Sequence, residues 1–176
     1  MPKTALLVID VQSALISRAD REAEVLAAIS SLVERARAVN TPVIYLQHCH
    51  ATYTPMMRGA PGWLIHTSVA PEPGELVIEK TASDGFYQTN LQSELERLAV
   101  GRSVICGLQT EFCVDATCRA AFSREFEIVL AADAHTTMDA VAKASIVVQH
   151  HNYALSNLAH PRRKIAVMAS AEIDIG

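Results

Sequence analysis

Short apolar runs alternate along this chain with longer stretches that repeat at helical spacing. Residues 4–9, 43–47, 76–79, 103–106, 127–131 and 164–168 are largely hydrophobic and of strand length, the pattern of strands covered on both faces. Between the first two, Val25, Ile29, Leu32 and Ala36 fall on one helical stripe, and Thr41-Pro42 breaks it before the next strand. Leu91, Leu95 and Leu98 form a shorter stripe that Gly101 should end. Ala116, Ala120 and Ala121 give a small-residue face to a helix expected from Cys113 to about Ser123, and Ala144, Val148, His151, Leu155 and Leu158 mark the last helix. The alternation predicts an α/β protein: a three-layer α/β/α sandwich on a six-stranded parallel sheet, a single domain over residues 1–176.

Residues 48–74 break the rhythm. They hold Pro55, Gly59, Pro61, Gly62, Pro71, Pro73 and Gly74 and show no period. A long excursion at the carboxyl end of a strand is more often a lid or binding loop than an idle connector.

Composition narrows the function classes. Half of the residues are hydrophobic and 19% are charged, which suits a packed core and excludes a disordered or fibrous chain. The formal net charge is −4 and Arg162-Arg163-Lys164 is the only basic cluster. No nucleic-acid partner is therefore expected, and the cluster reads as a solvated turn. No segment has the form of a secretory signal or the length of a membrane span, so a cytoplasmic protein without a membrane partner is expected. In that compartment Cys49, Cys106, Cys113 and Cys118 should be reduced thiols, and no CxxC pair marks a zinc ribbon. Neither GxGxxG nor GxxxxGK followed by Ser or Thr occurs at a strand end, so no nucleotide cofactor is expected.

The strongest chemical signal is Val104-Ile105-Cys106-Gly107-Leu108-Gln109-Thr110-Glu111-Phe112-Cys113. An apolar run stops at a glycine, turns, and opens a helix at Cys113, where unpaired N–H groups and the helix dipole favour thiolate. Asp10 ends the first strand and Lys80 follows Leu76-Val77-Ile78-Glu79. Each residue alone has a structural reading, as a cap, a surface lysine or a buried thiol. All three at the carboxyl ends of strands point instead to a covalent hydrolase.

Asp10-Val11-Gln12, Lys80 with Asp84-Gly85-Phe86 and Thr89-Asn90-Leu91, and Gly107 to Val114 together resemble the isochorismatase-like cysteine hydrolase family. Ala131-Ala132-Asp133-Ala134 and His151-Asn152 are similar to it as well. The resemblance implies strand order 3-2-1-4-5-6 and a Cys113–Asp10–Lys80 triad. Asp10 would act as base and then acid, while Lys80 keeps it ionised and favours the thiolate. It also implies a cis Leu108–Gln109 peptide and an oxyanion hole from the N–H groups of Gln109 and Cys113. Because Cys113 is present, the implied reaction is cleavage of a C–N bond in a small amide or carbamoyl (ureido) substrate through a thioester, not cleavage of isochorismate. A homo-oligomer, dimer or tetramer, is implied too. The apolar Tyr53, Met56, Met57, Trp63, Leu64 and Ile65 of the excursion need cover from a partner subunit or from their own core.

Gln12 is expected to orient the site, and Trp63, Phe86 and Phe112 are candidate pocket walls. His135 either touches substrate or lies at the surface. One alternative is a nicotinamidase with zinc at His48, His50 and His66. The aspartate of that family's metal motif is missing here, and His48 reads rather as a strand cap with the other two as loop polar groups, so no metal is expected. A catalytically inactive oligomeric binding module is the non-enzyme alternative.

Overall fold

The computed structural model describes residues 2–176. Six strands, β1 (Lys3–Ile9), β2 (Val43–His48), β3 (Leu76–Lys80), β4 (Val100–Leu108), β5 (Glu127–Thr136) and β6 (Ala166–Met168), form one sheet. All neighbours pair in parallel, in the order β3-β2-β1-β4-β5-β6. Side chains alternate across a strand, and β1 divides accordingly. Ala5, Leu7 and Ile9 join a cluster with Leu91, Leu95, Phe122 and Leu155. Leu6 and Val8 join the opposite one with Val25, Ile29, Leu32 and Ala36. Helices α1 (Ser13–Ile16) and α2 (Glu22–Ala38) thus cover one face, and α3 (Leu91–Arg97), α4 (Asp115–Ser123) and α5 (Ala144–Ser156) the other. Fully burying one such aliphatic side chain contributes about 1.5–3 kcal/mol, so the two-sided core holds the strand ends in fixed register.

Several boundaries differ from the sequence reading. Leu98 caps α3, Ala99 turns the chain at φ 55°, and β4 begins at Val100, paired with Lys3. Gly101 therefore lies inside a strand and does not end a helix. β5 continues five residues past the apolar run, because a register irregularity lets His135 pair with Gly107 and Thr136 with Leu108. The helix expected at Cys113 starts at Asp115. Before it, Thr110–Val114 forms a π turn in which the Val114 N–H donates to Gln109 O at 3.1 Å. The Leu108–Gln109 peptide is cis.

The excursion is anchored by polar contacts. It contains 3₁₀ turns at Thr54–Met56, Pro61–Trp63 and Thr67–Val69, with Met56 and Val69 buried. The Ser13 N–H donates to Leu64 O and the His66 N–H to Val11 O. Arg162 and Arg163 pair with Glu125, which accounts for the basic cluster as a turn. Among the described residues no helix is long and apolar enough to cross a membrane.

Candidate active site

β1, β2 and β4 end side by side, and each delivers one polar side chain to the same place. Asp10 follows β1 with φ 48°, His48 is the last residue of β2, and Cys113 sits in the π turn after β4. One carboxylate oxygen, one imidazole nitrogen and the Cys113 sulfur all lie within 4.8 Å of one another. Lys80, the last residue of β3, is level with His48 in the parallel register and reaches past it. Its Nζ lies 2.7 Å from Asp10 Oδ2 and 3.4 Å from His48 Nδ1, and it donates to Ala82 O at 3.1 Å. Both side chains of the Asp10–Lys80 ion pair are completely buried. Asp10 Oδ1 has no hydrogen-bond donor among the described residues.

Gly107 makes this convergence sterically possible. It has φ 122°, and a Cβ there would stand 2.0 Å from Ile9 O. Only glycine lets β4 pass this close to the end of β1, where Asp10 begins.

Burial is the largest influence on the Cys113 thiol, and with the Asp10 charge it pushes the group up to about 12; the Lys80 ammonium pulls the other way without prevailing. The helical segment expected here opens as a π turn with Cys113 inside it, and its start does not bring the thiol down. The resting group is a neutral thiol that needs a base beside it. Burial alone would lower the lysine, but the charge of Asp10 and the nearby sulfur more than reverse it, so Lys80 stays an ammonium. His48 is lowered from its ordinary value by burial and by the Lys80 cation, and it is neutral.

Asp10, His48 and Cys113 line a cleft of about 400 Å³, with Lys80 buried behind them. Gln109 and Ser83 share its polar side, and Leu15, Met56, Phe112 and Met138 supply apolar wall. Of the aromatic candidates, Phe112 lines the cleft. Phe86 does not, because it is buried and stacked on Phe126, with the Arg124 guanidinium over its ring. Trp63 lies outside as well, donating its indole N–H to Cys49 Sγ at 3.3 Å. Gln12 is buried and acts as a staple. Its Nε2 donates to His48 O and Trp63 O, and its Oε1 accepts from the His48 N–H. It therefore fixes the end of β2 and the excursion without lining the cleft.

His135 is neither at the surface nor in the cleft. It is fully buried and bridges elements. Asn152 Nδ2 donates to Ala132 O, so its Oδ1 accepts from His135 Nε2–H at 2.8 Å. His135 Nδ1 then accepts from the Thr110 hydroxyl at 2.9 Å. The ring, held neutral with its value lowered to about 4 mainly by burial, ties α5 to the start of the π turn.

The His48, His50 and His66 set suggested for zinc is not gathered. His66 Nδ1 accepts from the Ser68 N–H and caps a 3₁₀ turn, and His50 Nδ1 accepts from the N–H groups of Thr52 and Tyr53. The cluster that could present metal donors is Asp10, His48 and Cys113. Two of its three members already face the Lys80 ammonium, and a divalent cation does not fit beside that fixed positive charge.

Fold and site together define an open parallel α/β protein with a cysteine, a buried carboxylate–ammonium pair and a neutral imidazole at the carboxyl edge of its sheet. The isochorismatase-domain family model matches residues 4–172, and the chain belongs to the isochorismatase family. A streptothricin hydrolase from Streptomyces noursei is 39% identical over 145 residues, covering 81% of this chain and 52% of the relative. A second from the same organism is 40% identical over 151 residues, covering 82% of this chain and 59% of the relative. The chain thus spans a little over half the length of these curated relatives. A ureidoacrylate amidohydrolase from Methylobacterium radiotolerans is 29% identical, covering 74% of this chain and 66% of that one. An isochorismatase-family crystal structure from Chromobacterium violaceum superposes with TM-score 0.87 at 28% identity, covering 96% of this chain and 90% of that one.

Proposed function

We propose that the cleft is the active site of a cysteine hydrolase that cleaves the C–N bond of a small amide or carbamoyl substrate. The observation that carries this reading is the buried Asp10–Lys80 pair at 2.7 Å with the Cys113 sulfur beside the same carboxylate. Asp10 takes the thiol proton as Sγ bonds to the substrate carbonyl carbon. The N–H groups of Gln109 and Cys113 receive the oxyanion. The C–N bond breaks as Asp10 returns the proton to the leaving nitrogen. A water molecule, deprotonated by Asp10, then cleaves the thioester and regenerates the thiol. Lys80 holds a positive charge 2.7 Å from the Asp10 carboxylate through these transfers. The names of the hydrolase and amidohydrolase relatives support C–N cleavage. Self-association belongs to the same proposal: Met56 is covered by its own subunit, but Tyr53, Met57 and Leu64 of the excursion are 40, 42 and 53% exposed. Light scattering at micromolar concentration tests it, and a 19.1 kDa particle refutes it.

The test of the activity is ammonia release from a panel of primary amides and monosubstituted ureas. Turnover of at least one member by the wild type, lost by a factor of a thousand or more (~4 kcal/mol) in Cys113→Ala, is expected. Equal turnover by both proteins removes the mechanism.

A further inference from the structure

The wall of the cleft carries one uncompensated charge. Asp10 and Lys80 neutralise each other, and His48 is neutral. His50 uses Nδ1 to accept two backbone N–H groups, so its ring proton sits on Nε2. The other ionisable wall residue with a charge is Arg18, an exposed residue that follows α1. Its one hydrogen bond is from Nη1 to the Tyr53 hydroxyl, at 3.2 Å, and no carboxylate lies within ion-pair distance among the described residues.

The other arginines are all committed elsewhere. Arg21, Arg37, Arg58, Arg97, Arg102 and Arg119 pair with acidic side chains, as do Arg162 and Arg163. Arg35 donates to the carbonyls of Ser170, Ala171 and Ile173, and Arg124 donates to Ala120 O beneath the Phe86 ring. Arg18 is the arginine on the wall that also holds Cys113, and most of its planar donor fork is unused among the described residues. A guanidinium fork matches a carboxylate, and a cationic ligand would find no free acid in this cleft.

We propose that Arg18 is a specificity residue that selects substrates bearing a carboxylate beyond the scissile C–N bond, with Tyr53 orienting its guanidinium. The substrate class is then an N-acyl or N-carbamoyl compound with an acid at its far end. Leu15, Met56 and Phe112 cover its hydrocarbon part. This inference rests on the reading of Cys113 as a reactive nucleophile.

Charge-matched alkylating probes test it whatever the natural substrate is. The probes are 4-(iodoacetamido)butanoate, N-butyl-iodoacetamide and N-(3-aminopropyl)iodoacetamide. In each the Cys113 sulfur bonds to the methylene carbon, iodide leaves and the thiol proton passes to Asp10 and then solvent. Site-resolved peptide mass spectrometry gives the rate at Cys113, with glutathione correcting for intrinsic reactivity. The carboxylate probe should label wild-type Cys113 about tenfold faster than the neutral one, the size expected of a charged contact partly screened by solvent. Arg18→Ala should bring the ratio near one, and Arg18→Glu should shift the preference to the ammonium probe. A ratio that stays the same across wild type, Arg18→Ala and Arg18→Glu overturns the role of Arg18 while leaving Cys113 as nucleophile. Failure of all three probes to label wild-type Cys113 overturns the reading beneath it, and the inference with it.

Discussion

Lys80→Met is the sharpest perturbation of the site, because it removes a completely buried cation and leaves a completely buried carboxylate. At 2.7 Å the Asp10–Lys80 attraction is worth about 6 kcal/mol at an effective dielectric constant of ~20. Part of this is offset, since the variant no longer desolvates an ammonium. The net cost of breaking such a pair by removing one partner is about 3–5 kcal/mol. The pH dependence has a definite sign. Lys80 is raised in the folded state, so its contribution is complete below the ordinary lysine range and is lost only as pH rises through the folded value. Neutral pH therefore reports all of it. Urea unfolding of wild type, Lys80→Met, Asp10→Asn and the double variant at pH 7 measures it. The expected coupling energy is about 3 kcal/mol. A single-variant cost under about 1 kcal/mol that simply adds to that of Asp10→Asn, as for a solvent-exposed pair, would refute the reasoning.

His135 makes a second titration prediction. Its folded value is lowered from 6.5 to about 4, so the unfolded chain binds the extra proton first and stability falls as pH drops through that window, by about 3 kcal/mol in all. Unfolding curves at pH 6.5, 5 and 4 should show this slope, and His135→Gln should flatten it; an equal slope in both proteins assigns the effect elsewhere. Thr110→Val, which removes the hydroxyl donated to His135, should lower kcat about tenfold with KM little changed, while Thr110→Ser restores it; unchanged kcat in Thr110→Val removes the link to the π turn. Gly107→Ala should cost more than about 3 kcal/mol or prevent folding, given a Cβ placed 2.0 Å from Ile9 O; a soluble variant with wild-type melting temperature would show that β1 and β4 can separate there.

Much of this site was legible because of how parallel sheets present side chains. Asp10, Lys80 and Cys113 each stand at the end of an apolar run, and the ends of adjacent parallel strands meet at one edge. The same rule applies to His48, but its neighbours His50 and His66 drew it into a metal set that the folded excursion pulls apart. The thiol's electrostatics were not legible, because they depend on burial and on a π turn that no periodicity marks. Phe86, Trp63 and Gln12 follow strand ends or lie in the excursion, as pocket residues do. Their partners, Phe126, Cys49 and the His48 backbone, are set by tertiary packing. The extension of β5 to Thr136 hid behind Asp133, His135 and Thr136, whose polarity is absorbed by hydrogen bonds to Ser170, Asn152 and Asp20. Arg18 and Tyr53 lie 35 residues apart in irregular segments, where spacing predicts no contact.

The covalent role of Cys113 is the central claim, and trapping the acyl group tests it most directly. Wild-type protein quenched in acid during turnover of the best panel substrate should yield a peptide carrying the substrate's acyl mass on Cys113, not on Cys106 or Cys118. The adduct should be released by hydroxylamine and absent from Cys113→Ala. Steady turnover with an unmodified Cys113, matched by Cys113→Ala, would contradict it.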